Sequence, residues 1–110
     1  MTFSITVTPS GVTRITIEGQ LDRVTVLSLR PELDKLLATK PRRVEIDLAA
    51  LHMIDSAGVG ALVSLYKKVT ADNGEVLATG LHDQPLAIFK LLRLEHVMTG
   101  SGSNPPKSRP

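Results

Sequence analysis

Apolar and polar positions alternate at the start of the chain. Phe3, Ile5 and Val7 are interleaved with Ser4, Thr6 and Thr8. A period of two predicts a strand with one buried face. Pro9, Ser10 and Gly11 supply a turn. Val12 to Glu18 then repeats the alternation, with Ile15 and Ile17 inward and Arg14, Thr16 and Glu18 outward. The two runs predict an antiparallel hairpin. Gly19 is expected to break the second strand, with Leu21 and Asp22 leading out of it.

The period then lengthens. Leu29, Leu33, Leu36 and Leu37 recur at helical spacing. Pro31 falls inside this pattern and removes a backbone donor. Two starts are compatible with it: Ser28 caps the helix and Pro31 lies in its first turn, or the helix begins near Thr25 and kinks. Pro41 marks the end. Val44, Ile46 and Leu48 alternate with Glu45 and Asp47 as a third strand. A connection of about 15 helical residues between the second and third strands implies a right-handed parallel crossover.

A short loop leads to a second helix from about Ser56 to Ala71, marked by Val59, Leu62, Val63, Tyr66 and Val69. Asp72, Asn73 and Gly74 end it, with Gly74 as the expected left-handed cap. Glu75 to Thr79 reads as a fourth strand. Asp83 as cap and Pro85 in the first turn open a third helix, whose apolar face is Ile88, Phe89, Leu91 and Leu92. Glu95 to Met98 suggests a short edge strand. From Gly100 onward only Gly, Ser, Asn, Pro, Lys and Arg occur, a composition with nothing to bury. The expected organisation is one domain over 1–99 and a disordered tail over 100–110. Strands alternating with helices give an α/β fold with a mixed sheet.

Composition narrows the function. The chain has 110 residues, enough for a core without staples, and no cysteine, which removes disulfides, thiolate metal sites and a cysteine nucleophile. The formal charge is +2, but Lys107 and Arg109 of the tail supply it, and the body is near neutral. The remaining basic residues form no dense stripe, and no tryptophan offers a stacking platform, so nucleic-acid binding is not expected. No apolar run approaches the roughly 18 residues of a membrane span, and the N-terminus has no apolar signal core. The expected setting is the cytoplasm.

The stretch from Asp47 to Leu62 carries the candidate chemistry. A buried strand runs into a loop, and a helix opens at Ser56. The first turn of a helix holds unpaired N–H groups and the positive end of the dipole. A phosphate on Ser56 would sit where phosphate binds favourably, although beside the like charge of Asp55. Gly58 and Gly60 allow close backbone approach. The bland alternative is that Ser56 merely caps the helix while the glycines serve packing.

Other patterns are weaker. His52, His82 and His96 lack metal-ligand spacing. His52 lies near Ser56 in sequence, which makes the pair a candidate base and nucleophile of a hydrolase, but no Gly-x-Ser-x-Gly elbow is present. Gly58-Val59-Gly60 lacks the third glycine and lysine of a nucleotide-binding loop. Tyr66 is expected to pack, and Lys67 and Lys68 to be solvated.

The run Ile54-Asp55-Ser56-Ala57-Gly58-Val59-Gly60-Ala61-Leu62 resembles the signature of the STAS domain, a family named for sulfate transporters and anti-sigma factor antagonists. Gly19-Gln20-Leu21-Asp22 resembles the family's Gly-Glu-Leu-Asp after the second strand. The resemblance covers about residues 3 to 99. It implies a STAS-like single domain: a four- to five-stranded mixed sheet with an N-terminal antiparallel hairpin, packed by three to four helices. It further implies a stand-alone anti-sigma factor antagonist that is not an enzyme and uses no cofactor or metal. Ser56 is the implied phosphorylation site. Asp22, Asp55, Ser56, Ala57, Gly58, Val59 and Gly60 are the implied partner-binding residues.

The implied partner is an anti-sigma factor serine kinase, with a phosphatase to reset the switch and a weak homodimer completing the expected set. Three residues depart from the pattern. Ala57 stands where Ser or Thr is common, Gln20 where Glu is usual, and Pro31 disturbs the first helix. Asp-Ser-Ala-Gly also occurs in STAS subunits of lipid-transport complexes, so a constitutive docking subunit is the alternative.

Overall fold

In the computed structural model, residues 1–94 are described. Their order is β1 (Thr2–Val7), β2 (Thr13–Leu21), α1 (Val26–Ala38), β3 (Arg43–Asp47), β4 (Leu51–Ile54), α2 (Ser56–Ala71), β5 (Glu75–Thr79) and α3 (Asp83–Leu91). The expected edge strand at 95–98 and the tail from Gly100 lie outside the described residues.

The strands form one mixed sheet. β1 pairs antiparallel with β2, while β2–β3, β2–β4 and β3–β5 are parallel. The alternation seen in sequence is the alternation of faces. Ile15, Ile17, Val44 and Ile46 are fully buried on the side that α1 and α2 cover, joined by Leu29, Leu62, Leu65 and Phe89 from the helices. The opposite side carries an ion-pair ladder: Arg14–Glu45 at 3.1 Å, Arg43–Glu45 at 3.3 Å and Arg43–Glu75 at 3.1 Å. Such exposed pairs contribute little stability. They do keep the outer face solvated, so a single covered face is enough for this small sheet.

Several local expectations need correction. Gly19 does not end β2. Its φ of +90° makes an irregularity after which the strand leaves β3 and pairs with β4, carrying Leu21 and Asp22 forward. The loop expected before α2 contains β4, whose four residues bury only Leu51 and Ile54 and so show no alternation. Val7 is 66% exposed because it sits at the far end of the hairpin, opposite Thr13.

α1 starts at Val26 with Thr25 as its N-cap, so Pro31 lies inside the helix and the Ser28 start is ruled out. At the end of α2, Asn73 takes the left-handed conformation (φ 66°) expected of Gly74. The N–H groups of Asn73 and Gly74 return to the carbonyls of Thr70 and Val69 at 3.0 and 2.9 Å, a Schellman closure. Gly74 is needed for room instead, since a Cβ there would lie 2.8 Å from the Pro41 carbonyl. The cap of α3 is His82, not Asp83, and Leu91 and Leu92 are exposed while Phe89 alone of that face is fully buried.

Candidate functional site

Two chain crossings meet at the end of β2. Leu21 is fully buried between β4 and α2, and its carbonyl accepts the Asp55 N–H at 3.2 Å. Asp55 is the N-cap of α2. Its Oδ1 accepts the Gly58 N–H at 3.0 Å, and its Oδ2 accepts the Arg23 N–H at 3.0 Å. One carboxylate therefore closes the first turn of α2 and pins the β2–α1 loop to it. This settles the capping question: Asp55 does the work assigned to Ser56 in the bland reading.

Asp22 organises the other side. Its Oδ1 accepts the Val24 and Thr25 N–H groups at 3.0 and 2.9 Å, and the Thr25 hydroxyl approaches it at 3.1 Å. The Asp22 N–H donates to Thr25 Oγ1 at 2.8 Å. The Thr25 backbone N–H above all, with the Thr25 hydroxyl and the Val24 N–H, holds the Asp22 carboxyl below its ordinary range against the opposing cost of desolvation.

Between these loops lies an open depression of about 280 Å³ lined by Asp22, Arg23, Val24, Asp55, Ser56 and Ala57. Ser56 is the first residue of α2 and is exposed. Among the described residues its hydroxyl has no hydrogen-bond partner. The Ser56 and Ala57 N–H groups belong to the unpaired set of a helix start.

The remaining residues of the predicted set divide in two. Ala57 is half-buried at the rim and Gly60 is exposed, with open space where a Cβ would project. Gly58 and Val59 face inward. A Cβ on Gly58 would stand 2.6 Å from the Leu21 carbonyl and 2.7 Å from Ile54 Cγ1. Gly58 thus seats the helix on the sheet and presents no side chain outward.

Three contributors were not evident from sequence. Arg23 and Val24 line the depression beside Asp22. Gln84 of α3 clasps the free edge of β4: its Oε1 accepts the Ile54 N–H at 2.9 Å and its Nε2 donates to the Ile54 carbonyl at 3.0 Å. A side-chain amide thus stands in for a missing strand, directly before Asp55. No spacing rule announces such a contact.

His82 has a similar bridging position. Its Nε2 lies 2.7 Å from the Ala49 carbonyl and its Nδ1 2.6 Å from Asp83 Oδ2. Facing two acceptors, first the Ala49 carbonyl and then the Asp83 carboxylate, the imidazole is held above its ordinary pKa. His52 lies on β4 and is exposed. Among the described residues no cluster of three metal-ligating side chains is present, and no described helix is long and apolar enough to cross a membrane.

A mixed sheet with an antiparallel first strand, and a serine opening a helix at its rim, define a small α/β domain. The chain belongs to the STAS domain family, whose model matches residues 4–104. Among relatives, the anti-sigma-B factor antagonist of Listeria monocytogenes is 24% identical over 84 residues, covering 76% of this chain and 74% of that protein. The anti-sigma-F factor antagonist RsfB of Mycobacterium tuberculosis is 32% identical over 69 residues, 60% of this chain and 57% of that protein.

Solved structures share the fold. A putative anti-sigma factor antagonist from Thermotoga maritima aligns with a TM-score of 0.79 at 15% identity, covering 88% of this chain and 83% of that one. The Bacillus cell fate determinant SpoIIAA in its phosphorylated form aligns with a TM-score of 0.71 at 18% identity, covering 84% and 85%.

Proposed function

We propose that this chain is an anti-sigma factor antagonist whose binding to an anti-sigma factor kinase is switched by phosphorylation of Ser56. The observation that carries the reading is the exposed, unengaged Ser56 hydroxyl, held at the start of α2 by a neighbouring residue that does the capping. A serine that capped its own helix would lose that bond on modification. Here modification of the hydroxyl breaks no capping bond.

In the proposed cycle the kinase transfers the γ-phosphoryl group of ATP to Ser56 Oγ, releasing ADP and the hydroxyl proton. The unmodified face presents a neutral hydroxyl between half-buried Asp22 and Asp55. Phosphorylation adds about −1.5 to −2 charges and three acceptors there. Placed in an interface that must shed water, this charge opposes binding. A loss of ~2–3 kcal/mol corresponds to a roughly thirty- to hundred-and-fifty-fold weaker complex. Release of the antagonist leaves the anti-sigma factor free to hold its sigma factor, so the unmodified form favours transcription. The chain acts by binding, in the cytoplasm.

The test is incubation with the cognate anti-sigma factor and ATP, followed by mass spectrometry. Phosphate on Ser56 of the wild type, and none on Ser56→Ala, is the expected result. An unmodified Ser56 together with stable co-purification of a transport ATPase would instead make the chain a constitutive docking subunit.

A further inference from the structure

We infer that Arg23 is the intramolecular partner of the phosphate on Ser56, a specificity-determining residue of the switch; the inference rests on the phosphorylation proposed above. Arg23 and Ser56 line the same depression, and Arg23 is the only cationic residue among its six lining residues. Its place is fixed by the backbone, because its N–H is held 3.0 Å from Asp55 Oδ2, on the residue directly before Ser56. Among the described residues the Arg23 guanidinium enters no ion pair. The two carboxylates of the depression are occupied: Asp22 takes the Val24 and Thr25 N–H groups, and Asp55 takes those of Gly58 and Arg23. Among the described residues neither is paired with a cation.

The consequence follows from charge. Two carboxylates and one guanidinium leave the depression at −1 before modification. A dianionic phosphate takes it to −3, and without Arg23 it would stand at −4. The guanidinium fork matches phosphate geometry with two parallel N–H bonds, which a lysine ammonium cannot do. Arg23 therefore makes the modified state tolerable to the chain itself. It also draws a loop side chain across the depression and away from any docked partner.

The test does not need a kinase. Phosphoserine is installed at position 56 during synthesis, and the phosphate is titrated by phosphorus-31 NMR. Four chains are compared: wild type, Arg23→Gln, Arg23→Lys and, as a control for loss of one positive charge elsewhere, Arg30→Gln at an exposed position of α1. Arg23 is exposed, and the bond to Asp55 uses its backbone, so the substitutions leave the fold intact.

The second ionisation of phosphoserine is ordinarily near 6, and a nearby cation lowers it. Arg23→Gln is expected to raise it by about half a unit or more relative to wild type. Arg23→Lys should give an intermediate value, and Arg30→Gln should superimpose on wild type. Coincident wild-type and Arg23→Gln curves, or an equal shift in Arg30→Gln, would overturn the inference. Failure of a kinase to modify Ser56 would overturn the proposed function instead, without altering this titration.

Discussion

Two glycines of α2, two residues apart, should respond to the same substitution with opposite signs. Gly→Ala in a helix ordinarily stabilises by about 0.5–1 kcal/mol through propensity and reduced unfolded-state entropy. At Gly60 nothing lies within 4 Å of the new Cβ. Gly60→Ala should therefore show that full gain. At Gly58 the new Cβ would meet the Leu21 carbonyl at 2.6 Å, Ile54 Cγ1 at 2.7 Å and Leu21 Cγ at 2.9 Å.

Leu21 and Ile54 are themselves buried, and the carbonyl already accepts the Asp55 N–H. Neither neighbour can yield, so the first turn of α2 must lift from the sheet. Overpacking of this kind costs about 1–3 kcal/mol, more than the propensity gain. The propensity gain is common to both, so the two variants should differ by the packing cost itself, about 1–3 kcal/mol, which for a domain of this size is a Tm gap of roughly 5–20 °C. Thermal unfolding followed by far-ultraviolet circular dichroism measures it. Equal Tm values for the two variants would refute the close seating of α2 on β2 and β4.

Other expectations follow from the same contacts. Asp55→Ala should cost roughly 1–2 kcal/mol by urea unfolding, and Asp55→Asn markedly less, because asparagine also caps well. Phe89→Ala should cost about 3–5 kcal/mol, since the ring is fully buried and is the main anchor of α3. The pH dependence has two limbs. Asp22 is held below its ordinary value, so its contribution is present above pH ~4 and is lost as pH falls through its folded pKa. His82 is held above its ordinary value, so its contribution is complete below pH ~6 and is lost as pH rises through its folded pKa. His82→Gln should remove the upper limb, visible as a flatter stability profile between pH 6 and 8. An unchanged profile would separate the imidazole from the Ala49 and Asp83 contacts.

Much of the architecture was legible in the pattern of residues. The period-two runs at Phe3–Val7, Val12–Glu18 and Val44–Leu48 became strands because one face of the sheet is covered, so alternation and burial coincide at Ile15, Ile17, Val44 and Ile46, though not at the exposed Val7. The boundaries of α2 were legible because Ser56–Ala71 combines helical periodicity with an acidic cap and a turn at Asp72–Gly74. β4 was not legible: four residues buried only at both ends carry no period. Nor was the role of Gly19, whose positive φ prolongs β2 by redirecting it where a glycine in a strand ordinarily suggests an ending.

At the site, the motif located Asp22, Asp55 and Ser56 correctly at one end of the sheet. It did not separate them by task. Asp55 and Asp22 spend their lone pairs on backbone N–H groups, while Gly58 and Val59 point into the core. Arg23 and Gln84 depend on contacts between segments far apart in sequence, which no local pattern encodes.

The central claim is that one exposed hydroxyl governs a docking face. Its most direct test is the affinity of the cognate anti-sigma factor for two forms of this chain, unmodified and carrying phosphoserine at position 56, by isothermal titration calorimetry. The account predicts tight binding of the unmodified form and a loss of roughly thirty-fold or more on phosphorylation. Equal affinities for the two forms would contradict it.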